Sequence, residues 1–358
     1  MTILALDQST SATKAILFTA DGQVIDKESI NHRQTYPQPG WVEHDAEEVY
    51  RNTLAAVGSL LARRPEQAAA LEFLAITNQR ETVLAFERAT GRPLGHAIVW
   101  QDGRGAPVCQ SLVEAGHAPL VQQRTGLKID TYFSASKLRW MIEHDPALAG
   151  KLACGEALAG TIDAYLVYRL TGGRVFASDS TNASRTLLFN IHNLAWDPAL
   201  CELFHVPPAC LPEVRESCAG FGETTFEGLL ERPLPIYGVM GDSQAALFAQ
   251  RCFTPGAAKV TFGTGSSLLL NIGSRPRLST GGSVTALAWA LDGQPTYAFE
   301  GITNFTGATI AWLRDRLGLI QTAEESETLA RSVPDSGGVY LVPAFAGLSA
   351  PYWRADAR

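Results

Sequence analysis

Two groups of residues in this sequence have the types and spacing needed to transfer a phosphoryl group. Gly241-Asp242-Ser243 ends an apolar run and begins an Ala-rich segment, so we expect Asp242 at an exposed corner between a strand and a helix. Further along, residues 259–270 have the pattern of a strand, a glycine turn and a second strand. Gly263 and Gly265 in that turn would let backbone N–H groups approach an anion closely. A carboxylate beside a phosphate loop predicts phosphoryl transfer.

The same pattern recurs near the N terminus. Residues 3–18 again contain an apolar strand, a short turn rich in Ser and Thr, and a second apolar strand, with Asp7 near the end of the first strand. One such turn is typical of an ordinary hairpin, whereas two turns, each beside an acid, favour nucleotide chemistry. The repetition predicts two related lobes, each offering one phosphate-binding hairpin to a shared cleft.

Polar or aromatic side chains also lie at the ends of two other predicted strands. The strand 71–77 leads into Arg80 and Glu81, and the strand 94–100 ends at Trp100. The carboxyl ends of strands are where α/β sheets bind ligands. Arg80 and Glu81 would point to opposite faces of an extended strand, so both can serve one ligand only if the chain turns there. From the residues alone, Trp100 fits either a platform for a ligand or the core, and the core is favoured.

Two further segments give little chemistry from spacing alone. Periodicity in the helix predicted from Ser134 to His144 favours a buried Trp140 and a solvated Lys137. The hydroxyl-rich segment 178–190 shows no spacing that indicates a site.

Length and composition exclude several classes of protein. The chain has 358 residues, of which 46% are hydrophobic and 18% charged, and this predicts a globular protein of two domains. A net charge of -7 without a basic cluster argues against nucleic acid as a partner. No apolar run approaches the roughly 18 residues of a membrane span, and the N terminus lacks a charged leader region, so we expect no membrane partner and a cytoplasmic location. The six cysteines show no metal-binding spacing.

Taken together, the sequence resembles the FGGY family of carbohydrate kinases from Ile3 to Arg358. The segments that carry the resemblance are YPQPGWVEHD, ITNQRET, AIVWQDGR, TGLKIDTYFSASKLRWMIEH, TNASRTLLFNIH, GDSQAALFAQ, FGTG and VPAFAGLSAPYW. The resemblance implies an α/β, two-lobed, ribonuclease H-like fold of the kind shared by sugar kinases, actin and heat-shock ATPases. It also implies an N-terminal lobe over residues 1–249, the start of a C-terminal lobe over 250–358, and a cleft where ATP and a polyol meet.

The resemblance implies ATP-dependent phosphorylation of a polyol hydroxyl, first of all glycerol to glycerol 3-phosphate. By position, Asp242 would be the general base, and Asp7 would hold Mg²⁺ through water. The polyol-contacting positions of the family are matched by Arg80, Glu81, Trp100, Tyr132, Asp242 and Ser243. The nucleotide-contacting positions are matched by Thr10, Ser11, Ala12, Lys14, Thr264, Gly265 and Gly307. A homo-oligomer is left open.

Several residues depart from the family pattern. Ser9 replaces a glycine, Lys14 an arginine and Ala311 a glutamine at nucleotide positions. Ser243 replaces a glutamine and Ser267 a phenylalanine at the polyol position, which predicts a roomier and wetter pocket. A kinase for a four- or five-carbon polyol or ketose is therefore an alternative, although a truncated wall changes discrimination by only about 1 to 3 kcal/mol.

The family sequences continue well beyond Arg358, into a part that carries the adenine-binding glycine motif. We therefore expect this sequence to be a portion of a longer protein, with an incomplete second lobe. The other interpretation is a truncated chain with an open, apolar second lobe. That interpretation favours a non-catalytic polyol-binding protein on the kinase scaffold.

Overall fold

The fold is built on a mixed sheet whose central strands all end at one edge. The computed structural model describes residues 1–263, 265–345, 347–354 and 357. The strands, in chain order, are β1 (Thr2–Gln8), β2 (Ala12–Thr19), β3 (Val24–Asn31), β4 (Glu43–His44), β5 (Leu71–Asn78), β6 (Val83–Glu87), β7 (Ala97–Ile98), β8 (Ala157–Thr161), β9 (Ala177–Asp179), β10 (Phe189–Asn190), β11 (Ala195–Trp196), β12 (Glu213–Arg215), β13 (Gly220–Thr224), β14 (Leu234–Gly241), β15 (Ala258–Phe262), β16 (Ser266–Gly273), β17 (Val284–Leu291) and β18 (Gln294–Thr303).

Helices cover the sheets and connect their strands. They are α1 (Ala46–Arg63), α2 (Pro65–Ala69), α3 (Ala106–Glu114), α4 (Ala118–Thr125), α5 (Ser134–His144), α6 (Pro146–Cys154), α7 (Ile162–Leu170), α8 (Ser180–Ala183), α9 (Pro198–Leu203), α10 (Asp242–Ala249), α11 (Gly307–Asp315) and α12 (Glu325–Arg331). None of the helices in the described part of the chain combines the length and the apolar character that a bilayer crossing requires.

The large sheet of the first lobe has the strand order β13-β14-β5-β1-β2-β3. Strands β1, β5 and β14 run parallel, with Gln8 paired to Asn78 and Asn78 paired to Gly241. The residues that follow these three strands must therefore emerge side by side at the carboxyl edge. This register brings the segments that carry Asp7, Arg80 and Asp242 together.

Apolar side chains on the strands and on α1 form the core behind that edge. Alternate residues of β1, such as Leu4 and Leu6, are buried, as period-two strands with one face on a core require. Helix α1 buries Val57 and Leu60 in the same cluster, and each such side chain contributes about 1.5 to 3 kcal/mol when fully buried. The core thus fixes the strands whose ends carry the site.

The second lobe begins with an antiparallel sheet in the order β15-β16-β18-β17. Its strand β17 packs against the first lobe, where Leu287 shares an apolar cluster with Phe189 and Ile191. Gly126 approaches this strand so closely that a Cβ would lie 2.5 Å from the carbonyl oxygen of Thr285. The sheet is therefore held firmly against the first lobe, with β18 next to β17. The predicted hairpins β1–β2 and β15–β16 are both present.

Candidate active site

The chain turns sharply where β5 ends. Glu81 has a φ of 62°, in the left-handed region, while the N–H of Thr82 donates to the carbonyl oxygen of Arg80 at 2.7 Å. Arg80 and Glu81 are both buried, with exposed fractions of 4% and 1%. The turn that the sequence required for both residues to serve one ligand is therefore present.

A buried helical segment braces the strand ends from behind. Asn182, in α8, exchanges two side-chain hydrogen bonds with Asn78 at 2.9 and 3.0 Å. Thr181 accepts a hydrogen bond from the N–H of Gly241 through its Oγ1 at 3.0 Å. Both contacts tie the ends of β5 and β14 to the same rigid segment. Residues 178–190, in which spacing indicated no chemistry, therefore position the candidate site.

Five charged side chains form an alternating chain across this site, which we call the ionic chain. Arg185 contacts Glu81 (Nε to Oε1, 2.7 Å) and Glu300 (Nη1 to Oε2, 2.5 Å). Arg80 contacts Glu300 (Nη1 to Oε1, 2.9 Å) and Asp242 (Nε to Oδ1, 3.2 Å). The Arg185–Glu300 contact is an ion pair rather than a well-directed hydrogen bond. The chain therefore runs Glu81–Arg185–Glu300–Arg80–Asp242, and four of its members are buried.

Burial and charge act in opposite directions on these groups. Burial raises the pKa of Glu81, although Arg80 and Arg185 oppose that effect. Burial acts on Glu300 in the same direction, but Arg185 and Arg80 outweigh it, so the pKa of Glu300 is lowered. A carboxylate enclosed by two guanidinium groups stays ionised in an interior that would otherwise neutralise it. The two arginines thus favour the charged form of Glu300 inside the protein.

Asp242 stands at the open end of the ionic chain. It is the first residue of α10, its side chain is 47% exposed, and its Oδ1 accepts a hydrogen bond from the N–H of Ser243 at 2.6 Å. Its Oδ2 makes no hydrogen bond or ion pair within the described residues. A Cβ on Gly241 would lie 2.8 Å from Cγ and Cδ of Arg80. The glycine before Asp242 therefore lets the arginine approach.

Two small hydroxyl side chains lie next to the ionic chain. Ser243 and Ser267 face each other with their Oγ atoms 3.4 Å apart, and Ser267 Oγ is also 3.4 Å from Oε1 of Glu300. Lys259 donates to Thr261 Oγ1 at 2.9 Å. Burial and the nearby charge of Arg80 lower the pKa of Lys259 to about 8. These contacts line this part of the site with polar groups.

Trp100 and Tyr132 form an aromatic wall beside the first hairpin. Their ring centroids are 5.4 Å apart, and Trp100 Nε1 donates to Oγ1 of Thr10 at 2.9 Å. A cleft of about 230 Å³ is lined by both rings together with residues that include Asn304 and Ser349. Trp100 therefore borders a cavity, and the wall is hydrogen-bonded to the turn of the first hairpin.

Lys137 contradicts the prediction of a solvated side chain. Its side chain is fully buried, and its Nζ donates to the carbonyl oxygens of Thr131, Tyr132 and Phe133. Burial lowers the pKa of Lys137 to about 8. Helical periodicity could not show this, because the acceptors belong to the loop that precedes the helix. Lys137 thus supports the loop that carries Tyr132.

The first hairpin, β1–β2, closes through Ser9. Ser9 exchanges hydrogen bonds with Ala12 through both backbone and hydroxyl, whereas Ser11 is exposed at the tip. Asp7 pairs with Lys14 at 2.8 Å, and both side chains are partly exposed. Ser9 and Ala12 therefore close the turn, and the hydroxyl of Ser9 takes part in that contact.

In the second hairpin, β15–β16, Thr264 lies outside the described residues. A Cβ on Gly265 would lie 2.6 Å from the carbonyl oxygen of Thr303 and 2.9 Å from that of Asn304, so the adjacent chain itself requires glycine there. The exposed Gly307 begins α11, and its N–H donates to the carbonyl oxygen of Gly263 at 2.9 Å. The hairpin and the start of α11 are therefore linked directly.

Arg185 and Glu300 are the site residues that sequence reasoning missed. Arg185 lies in a segment without a helical or strand period that could identify it. Glu300 gives a weak signal, since it shares a strand face with Ala298 and Ile302, both of which are buried. A charged residue at a buried position of a strand indicates that it has a partner of opposite charge. Sequence alone does not show that the partners of Glu300 are two arginines that lie at least 115 residues earlier in the chain.

The carboxylates of the site can bind a magnesium ion only if the phosphates of the nucleotide supply further ligands to that ion. Among the described residues, no group of three or more Asp, Glu, His or Cys side chains is placed to hold a metal. Mg²⁺ commonly binds through one or two carboxylates, substrate phosphates and several waters. Asp7 offers one partly exposed carboxylate next to the first hairpin. That donor set suits an ion that arrives with phosphates.

The half-buried His32, behind the first hairpin, and its buried neighbour His44 predict a loss of stability in acid. Burial and the neighbouring His44 lower the pKa of His32 from 6.5 to about 4, while Gln8 Nε2 lies 2.9 Å from His32 Nε2. Between about pH 6.5 and 4 the unfolded chain binds more protons than the folded one, so stability falls as pH falls through that window. We expect the melting temperature of His32→Gln to fall less than that of the parent when the pH is lowered from 7 to 4.5.

The exposed His205 serves as the control for that measurement, because its side chain is 58% exposed. We expect His205→Asn to follow the parent over the same pH range. Equal losses in the parent and in His32→Gln would show that protonation of His32 does not limit stability in acid.

Comparison with known proteins gives two family matches and a set of near relatives. The model of the N-terminal domain of the FGGY family of carbohydrate kinases matches residues 2–249, and that of the C-terminal domain matches 258–358. A glycerol kinase of Halorhodospira halophila is 51% identical over 356 residues, which cover 99% of this chain and 70% of the relative. Glycerol kinase 1 of Thermotoga maritima is 47% identical, over 100% of this chain and 73% of the relative.

The fold has a similar counterpart among solved structures. A glycerol kinase of Plasmodium falciparum, crystallised with ADP, superposes with a TM-score of 0.91 at 36% identity, over 100% of this chain and 71% of that one. The match confirms the expected two-lobed sugar kinase fold.

Proposed function

Because this chain belongs to the FGGY family of carbohydrate kinases, we propose that it transfers the terminal phosphoryl group of ATP to a hydroxyl of a polyol, with glycerol as substrate and glycerol 3-phosphate as product. The observation that carries the proposal is the exposed carboxylate of Asp242, which lies at a strand-to-helix corner in contact with the buried Arg80. Two hairpins, β1–β2 and β15–β16, support the proposal because the sequence of their turns predicts phosphate binding. Relatives near 50% identity bear the name glycerol kinase. A reaction that consumes ATP is consistent with a cytoplasmic location.

Asp242 would orient the attacking hydroxyl and accept its proton. Its Oδ1 is already occupied by Arg80 and by the N–H of Ser243, which leaves Oδ2 for the hydroxyl. Phosphoryl transfer passes through a loose transition state, so positioning and charge neutralisation contribute more than the strength of the base. The buried Arg80 supplies a fixed positive charge beside that carboxylate.

The polyol would lie between the ionic chain and the aromatic wall. Arg80 and Glu81 offer a donor and an acceptor suited to neighbouring hydroxyls, and Trp100 with Tyr132 offers an apolar surface for the carbon chain. Ser243 would complete this side as a small polar group.

The nucleotide phosphates would bind at the two hairpins. Thr10, Ser11, Ala12 and Lys14 form or adjoin the first turn, and Gly265 and Gly307 adjoin the second. Thr264, which lies outside the described residues, is assigned to the nucleotide by its position in the sequence alone. The Lys14 ammonium, released from Asp7, can neutralise phosphate charge. Magnesium would be held by Asp7 through water and by the phosphates, and it would neutralise charge on the transferred group.

A larger polyol or a ketose is the second candidate substrate. The observation that favours it is the pair of serines, Ser243 and Ser267, whose hydroxyls meet at 3.4 Å where bulkier side chains would narrow the pocket. Each hydroxyl can pair with an additional substrate hydroxyl.

A coupled assay of ADP release tests both candidates. With Mg-ATP present, glycerol, erythritol, threitol, xylitol, erythrulose and xylulose are compared by kcat/KM. We expect polyol-dependent release, with glycerol the best substrate. A maximum at a four- or five-carbon compound would favour the second candidate. If no compound caused ADP release while polyols still raised the melting temperature, the result would contradict catalysis and indicate a polyol-binding protein.

A further inference from the structure

Glu300 belongs to the second lobe, but both of its carboxylate oxygens contact arginines of the first lobe. Oε1 lies 2.9 Å from Arg80 Nη1, and Oε2 lies 2.5 Å from Arg185 Nη1. Its side chain is fully buried. Because both oxygens are taken and none reaches solvent, Glu300 is not placed to bind a substrate hydroxyl. Any influence it has on the reaction must pass through the two arginines.

The contact with Glu300 changes how Arg80 meets Asp242. Arg80 Nη1 lies 2.9 Å from Oε1 of Glu300 and donates to Oε1 of Gln244 at 3.3 Å, and the shortest contact of Arg80 with the Asp242 carboxylate is through Nε. The resulting distance of 3.2 Å exceeds the roughly 2.7 to 2.9 Å of a strong charge-assisted hydrogen bond. Asp242 is thus oriented by Arg80 without a bidentate pairing, which would compete for its proton-accepting oxygen.

The charges of the ionic chain also indicate that Glu300 sets how the two arginines meet their outer carboxylates. Within the ionic chain two guanidinium groups face three carboxylates, and the exposed carboxylate is Asp242. Lys259 lies beside the chain and adds positive charge near Glu300 and Asp242. At the other end, Arg185 holds Glu81 with its Nε while Glu300 holds Arg185. Removing the central charge would release both arginines to their outer partners and would shift both ends of the polyol site.

We propose that Glu300 is a positioning residue of the phosphoryl-transfer site, which holds Arg80 relative to Asp242 and Arg185 relative to Glu81. The proposal deepens the polyol kinase function and rests on it. Glu300 acts from the second lobe, so the geometry of the polyol site in the first lobe depends on where β18 lies.

The test compares Glu300→Gln and Glu300→Asp with the parent in polyol binding by calorimetry and in kinetics. Glu300→Gln keeps the size of the side chain but loses the charge, and we expect the polyol dissociation constant and KM to rise about tenfold to hundredfold. KM for ATP should change much less, because Glu300 contacts the second hairpin through Ser267 on β16, whereas the nucleotide phosphates would bind at the hairpin turns. Glu300→Asp keeps the negative charge on a side chain that is one methylene shorter, and we expect it to recover part of the polyol affinity.

Glu72→Gln is the matched control, since Glu72 is an exposed glutamate of β5 in the first-lobe sheet. A merely structural role for Glu300 would lower the amount of folded, active protein and leave both KM values unchanged. Folded Glu300→Gln with the parent's polyol dissociation constant would overturn the inference and leave the kinase function standing. If Glu300→Gln does not fold, Glu300→Asp decides, because its shorter side chain should recover only part of the affinity. A polyol dissociation constant equal to that of the parent would then overturn the inference. A parent that neither binds nor phosphorylates any polyol would overturn both proposals.

Discussion

Asp242→Asn is expected to lower kcat by about 10²- to 10⁴-fold, the usual contribution of a general base. The amide keeps the shape of the side chain and an oxygen that can accept from the N–H of Ser243 and from Arg80. It cannot accept the proton of the attacking hydroxyl. Because the buried Arg80 still pairs with Glu300, we expect the polyol dissociation constant to change little. ADP release and calorimetry on the same preparation measure the two effects.

Asp315→Asn is the matched control for that experiment. Asp315 is also an aspartate about half exposed that pairs with an arginine, its neighbour Arg314, at 2.6 Å. We expect the control to keep the parent's kcat. If Asp242→Asn turned over polyol near the parent's rate, Asp242 would not be the base. If it lost polyol affinity instead of rate, Asp242 would be a binding group.

Local patterns in the sequence were enough to predict the hairpins and the corner at Asp242. An apolar run, a turn of small residues and another apolar run specify a hairpin over short distances, and β1–β2 and β15–β16 have that form. The position of Asp242 at the start of α10 followed from the same kind of signal. These features depend on residues close together in the chain.

The partners of the charged residues could not be predicted, because they come from distant elements. Strands β10 to β17 lie between Arg185 and Glu300 in the chain, and the two residues meet only after the second-lobe sheet packs on the first lobe. Lys137 is a different case: it was predicted to be solvated from its helical position, but carbonyl groups four to six residues earlier in the chain bind it. Periodicity alone therefore assigns a buried charge wrongly to the surface, as for Lys137, or gives it no role, as for Arg185.

Arg185→Met should be the most destabilising single change at this site. Arg185 is fully buried between Glu81 and Glu300, and methionine fills similar space without charge. Removing Arg185 leaves the buried Glu81 without its ion-pair partner and leaves Glu300 with Arg80 alone, and breaking a buried ion pair in this way costs about 3 to 5 kcal/mol. Burial already raises the pKa of Glu81, and Arg185 is one of the charges that oppose this rise. We therefore also expect Glu81 to become protonated and polyol affinity to fall.

Urea unfolding of Arg185→Met and of Arg331→Met compares the loss of a buried ion pair with the loss of an exposed one. Arg331 forms an ion pair with Glu327 at 2.8 Å, but both side chains are at least 70% exposed. Water screens that pair and solvates the glutamate when the arginine is gone, so the control should unfold with the parent. Arg185→Met should unfold at clearly lower urea. Equal stability of the two variants would mean that Glu81 and Glu300 take up protons or water at little cost. The ionic chain would then orient the site without contributing to the stability of the fold.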